Sequence, residues 1–134
     1  MPRESWRAIL RTLIAVFYGA AGALHLYAPE AYLPIMPSWV PAPYGVVIAT
    51  GLCEIAGAAA LLAPGLRRAA GILLALYAVC VFPANIKHAF EGIELAWISS
   101  SWFYHGPRLV LQPAIAWLAL YASGVTDWPF RKSA

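Results

Sequence analysis

Apolar residues run along this chain in four long blocks, not in the alternating pattern of half-buried strands. The blocks cover about 9–27, 44–63, 68–88 and 107–123. Each approaches the roughly 20 residues that a helix needs to cross the hydrocarbon core of a bilayer. The pattern predicts an all-α polytopic membrane protein: an antiparallel bundle of four transmembrane helices, forming one domain over residues 1–134. Only "PGLR" separates the second and third blocks, so they pair as a tight hairpin, with Pro64 ending one helix and Gly65 turning the chain.

Two longer connections remain. "APEAYLPIMPSWVPAP" (28–43) has five prolines and no basic residue, and reads as a compact extended loop at the membrane interface. "FEGIELAWISSSWFYH" (90–105) carries Glu91 and Glu94, followed by Trp97, Trp102, Phe103 and Tyr104. Those aromatics fit an interfacial belt, as do Trp39, Trp117 and Trp128. Small residues pair along the spans: Gly19 with Ala23, Gly22 with Ala15, and Gly57 with Ala60. Such pairs let helices approach closely.

Composition agrees. The chain is 62% hydrophobic and 11% charged, against about 25% charged in a soluble domain. The net charge of +3 comes from cations at termini and short loops rather than on a basic face, so nucleic-acid binding is not expected. Cys53 and Cys80 sit in apolar runs without metal-ligand spacing and are expected to be small buried hydrophobes.

The cations also orient the bundle. Arg3, Arg7, Arg11, Arg67, Arg68, Arg131 and Lys132 fall on one side of a four-span arrangement, leaving only Lys87 and Arg108 for the other. The positive-inside rule then places both termini in the cytoplasm. The N-terminal arginines, the apolar run and "AGA" at 21–23 also imitate a secretory signal. Its removal would leave Arg131 and Lys132 on the wrong side, so the first block is read as a retained span.

Polar residues within the blocks are the candidate chemistry, because an ionisable group in lipid is costly unless it faces a partner or a cavity. Glu54 lies ten residues into the second block, a depth of roughly 15 Å. Its candidate partner is Arg108, whose long side chain can reach inward from the start of the fourth block. Such a pair could serve chemistry or merely fix helix register. Gln112 follows Arg108 by one helical turn, His25 lies near the outer end of the first block, and Asn85 and His88 share a face of the third. Each helix thus brings polar groups to the outer half of the membrane. His25 and His88 also fit interfacial positions, and Asn85 a helix cap. Lys87 reads as a cation reaching outward to the headgroups, and Pro83 and Pro113 as local kinks. His25, His88 and His105 have no metal-ligand spacing.

Four pieces in order resemble the DoxX-like family of small bacterial membrane proteins, over roughly residues 9–122. They are "GALHLYAPEAYLPIMPSWVPAP", "GLCEIAGAAALLAP", "RRAAGILLALYAVCVFPANIKHAF" and "PRLVLQPAIAWLAL". Where that family often has tryptophan and leucine before the arginine, this chain reads "YHGPR". The resemblance implies a four-helix membrane bundle, with His25, Glu54, Asn85, Arg108 and Gln112 as matching polar positions. Relatives include the small subunit of an archaeal thiosulfate:quinone oxidoreductase and components of redox-stress complexes. The expected role is therefore a quinone-linked accessory subunit working with a redox partner protein. The alternative is a non-catalytic binder or carrier of a small lipophilic molecule, or a structural helper of a membrane complex.

Overall fold

A computed structural model of the chain describes residues 2–91 and 102–130, apart from the side chains of His88, Glu91 and residues 102–105. Every regular element among them is helical: α1 (Arg3–Tyr27), a 3-10 helix (Pro29–Ile35), α2 (Pro43–Leu62), α3 (Arg67–Cys80), α4 (Phe82–Glu91) and α5 (Trp102–Ala122). Prediction and structure differ in four places, one of them the start of α5, at Trp102 rather than about 107. α1 begins earlier, because the polar start "RESWR" continues the same helix. The third block is divided at Val81, close to Pro83, which cannot donate into the helical ladder, although Val81 itself keeps helical φ and ψ. The proline-rich connection, expected to be extended, instead winds into the 3-10 helix, with Pro29 at its start and Pro34 within it. Proline's fixed φ suits such short tight turns.

Three helical stretches are long and apolar enough to cross a membrane: Arg3–Tyr27, Pro43–Leu62 and Arg67–Lys87. α5 is of comparable length at 21 residues, but Pro107, Arg108, Gln112 and Pro113 interrupt its apolar run.

α1 packs mainly on α2, and α3 on α5. Ile14, Ala15, Tyr18, Ala58, Leu61, Leu74 and Ala119 form the buried core. Small residues set the helix spacing. A Cβ on Gly22 would lie 2.6 Å from the Gly51 carbonyl oxygen, and one on Gly51 would lie 2.7 Å from His25 Cβ. At this crossing α1 and α2 touch backbone to backbone. Gly57 is covered by Leu74, whereas Gly19 meets no neighbour, so no helix approaches closely at Gly19 of the Gly19–Ala23 pair. Outward faces are apolar, with Leu13, Val16, Leu73, Leu76 and Val79 all exposed. Cys53 and Cys80 are both exposed and free, not buried as expected, and Cys80 lines the cavity described below.

The starts of α1 and α3 meet the end of α5 in a cluster of arginines. Arg11, only 6% exposed, donates to the Ala122 carbonyl at 2.9 Å and pairs with Glu4 at 2.6 Å. Arg7 donates to the carbonyls of Tyr121 and Thr126 and to Asp127. Arg3 donates to the Phe130 carbonyl, and Arg68 to that of Gly124. These guanidiniums satisfy carbonyls left over where α5 ends. Residues that read as topology signals therefore also fasten the chain's two ends together. Arg131 and Lys132 lie outside the described residues.

Candidate functional site

At the opposite end the helices separate around a cavity of about 820 Å³, lined by α1 to α5 and the 3-10 helix. Its walls are mostly apolar, and five sequence-selected polar residues line it: His25, Glu54, Asn85, Arg108 and Gln112. The side chain of His88 lies outside the described residues.

The polar residues divide into two groups. On one wall, Glu54 of α2 is 5% exposed. Its Oε1 accepts a hydrogen bond from the Tyr77 hydroxyl of α3 at 2.5 Å. Its Oε2 lies 3.3 Å from His25 Nδ1 of α1 without hydrogen-bond geometry, and is left without a hydrogen-bond partner. His25 also lies 3.5 Å from Thr50 Oγ1, one turn before Glu54, and packs edge-on against Tyr32 of the 3-10 helix. The Tyr18 ring meets the Tyr77 ring beneath, at 6.0 Å between centroids.

On the other wall, Arg108 donates to Asn85 Oδ1. The amide of Asn85 then donates to Gln112 Oε1 at 3.1 Å, and that of Gln112 to the Ala78 carbonyl at 2.8 Å. This chain ties α5 to α4 and to the end of α3. It corrects the expected Glu54–Arg108 pairing: Tyr77 holds Glu54, with His25 close by, while the guanidinium turns to Asn85. Lys87 is corrected too. Rather than reaching outward, its Nζ donates to the Met36 carbonyl at 2.8 Å and so ties α4 to the segment after the 3-10 helix. That segment roofs the cavity with Met36, Pro37, Trp39 and Val40.

The sequence reading omitted Tyr18, Tyr32, Thr50 and Tyr77. Helical spacing marks three of them: Thr50 is one turn from Glu54, Tyr18 two turns from His25, and Tyr77 about two turns from Asn85. Only three-dimensional packing brings Tyr32 in. Among the described residues no three His, Cys, Asp or Glu side chains gather as a metal site would require.

The model of one family, described as a domain of unknown function (DUF8561), matches residues 14–123. This chain belongs to the DUF8561 family. The matched region holds all the residues named in the cavity walls and excludes Arg3, Arg7, Arg11 and Asp127 of the fastening cluster. The DUF8561 description carries no activity and no link to the DoxX-like proteins. No curated protein and no solved structure matches the chain.

Proposed function

We propose that this protein spans the inner membrane four times, with α5 as the fourth span and both termini cytoplasmic, and that its cavity binds a small lipophilic molecule. One observation carries the reading: a mostly apolar cavity of about 820 Å³ into which four helices direct five polar side chains. Ligand sites share this make-up, with apolar walls for bulk and a few placed polar groups for orientation, in volumes of about 300–1,000 Å³. Arg3, Arg7, Arg67 and Arg68 gather at the end away from the cavity, which supports an orientation with the site in the outer leaflet. The bilayer is the surrounding partner, because the helices present leucine, valine and isoleucine outward.

A narrower proposal is the quinone-linked accessory role in a DoxX-like protein. Arg108 favours it, as a guanidinium can donate to a quinone oxygen. Asn85 and Gln112 lie in the same cluster, and each commits one amide hydrogen to a protein acceptor. Electrons would come from a redox partner protein. A thermal-shift titration of the detergent-solubilised protein tests both readings. Saturable stabilisation by lipophilic ligands, weakened in Arg108→Ala, supports the binding site. A response limited to quinones supports the narrower role. No response to any lipophile overturns both.

A further inference from the structure

Two apolar stripes run antiparallel along facing edges of α1 and α5. On α1 the stripe is Leu10, Phe17 and Leu24, and on α5 it is Leu118 and Leu111, each at the seven-residue spacing that keeps side chains on one helix face. At the arginine cluster the stripes are closed. Leu10 and Leu118 pack against the buried core, and Arg7 and Arg11 tie α1 to the Tyr121 and Ala122 carbonyls of α5. One heptad further on they are open: Phe17 and Leu111 both line the cavity, yet each is 54% exposed. Lining the cavity does not by itself expose a side chain, since Tyr18, Ile35 and Val47 line it and are buried. Phe17 and Leu111 therefore border a lateral seam, through which the cavity reaches the outside of the bundle between α1 and α5.

The depth of the seam suits lipid rather than water. Phe17 lies ten residues before Tyr27 at the end of α1, and Leu111 nine after Trp102 at the start of α5. That is roughly 15 Å from the cavity end of each helix, about half the hydrocarbon thickness of a bilayer. The cavity end itself is roofed by Met36, Pro37, Trp39 and Val40, and Lys87 holds the roof by the Met36 carbonyl. Inside, Glu54 Oε2 is buried without a hydrogen-bond partner. It calls for a polar group beside it whether the carboxyl is ionised or protonated. We infer, on the reading of the cavity as a ligand site in a membrane-spanning bundle, that its occupant is a chain-bearing lipid taken sideways from the bilayer. The polar head sits in the cavity and a hydrocarbon chain leaves through the α1–α5 seam. A chain in the seam keeps its apolar surroundings, so the cavity need not enclose the whole molecule.

The test is native mass spectrometry of the full chain released from nanodiscs doped, at equal mole fraction, with monooctanoylglycerol or dioleoylglycerol. Both probes carry an uncharged glycerol head with hydroxyl and ester groups. The second, with two long chains, is too large for the cavity to enclose. Wild type is expected to retain dioleoylglycerol. Leu111→Trp, which fills the seam, is expected to retain several-fold less. Val110→Trp, at a neighbouring exposed position outside the cavity lining, should retain as much as wild type. Should Leu111→Trp fail to fold by circular dichroism, Leu24→Trp makes the same test from the α1 edge. Retention of monooctanoylglycerol alone overturns the inference and leaves an enclosed ligand site standing. Equal retention by Leu111→Trp and Val110→Trp overturns it too, because lipid bound only to the outer surface behaves that way. If neither glyceride is retained the inference falls, whereas an adduct carried from the native membrane would still uphold the ligand site.

Discussion

Tyr77 on α3 donates its hydroxyl hydrogen to Glu54 on α2 across 2.5 Å, in the lining of the cavity. This contact gives the carboxylate of the second helix a neutral partner and leaves Arg108 to organise the opposite wall through Asn85. The polar residues of the cavity consequently fall into two hydrogen-bonded groups in a mostly apolar lining.

Removing that hydroxyl should be felt in stability. Tyr77→Phe keeps the ring packed on Tyr18 but orphans Glu54 Oε1, and is expected to cost about 1 kcal/mol in detergent unfolding. Tyr77→Phe in a Glu54→Leu background should cost much less, because the acceptor is gone. Equal costs in both backgrounds would show that the hydrogen bond contributes nothing.

The crossing of α1 and α2 should tolerate no side chain. Gly51→Val places new atoms against His25 Cβ, with its Cβ 2.7 Å away, and should destabilise by about 1–3 kcal/mol while displacing His25. Gly19→Ala, where nothing lies within 4 Å, should unfold within about 1 kcal/mol of wild type, on the stable side. Thermal melts of the two variants make the comparison, and similar behaviour would contradict the packing described.

Arg11 should matter more than its place among topology signals suggests. Arg11→Met leaves the Ala122 carbonyl and Glu4 without their donor and is expected to cost about 1–3 kcal/mol. Arg3→Ala, at a side chain 38% exposed, should change stability little. The same unfolding assay distinguishes them.

Orientation is open to a reporter test. A fluorescent protein fused after Ala134 should fluoresce, and alkaline phosphatase at the same point should be inactive. The opposite pattern would refute the four-span, both-ends-cytoplasmic arrangement.

Much of the helical plan was legible because apolar blocks of membrane length have few other uses, and His25, Glu54, Asn85, Arg108 and Gln112 stood out against them. What the sequence concealed was pairing. Depth alone placed Glu54 near Arg108, but helix rotation decides which side chains meet, and it turned Glu54 toward Tyr77. Tyrosines were easy to pass over because they suit both core and interface. The exposure of Cys53 was hidden for a related reason: in a chain surrounded by lipid, an apolar position need not point inward, whereas Cys80 lines the cavity. Arg11 illustrates the converse, a charged residue whose role as a buried tie depends on where α5 ends, over a hundred positions away in the chain.

The central claim, that the cavity holds a lipophilic molecule, is tested most directly by native mass spectrometry of protein extracted gently from its own membranes. Wild type should carry a non-covalent small-molecule mass. Ala21→Phe, which fills the cavity from the α1 wall, should lose that mass while remaining folded by circular dichroism. A wild-type protein that flies bare, or an identical adduct on the folded Ala21→Phe variant, would contradict the account.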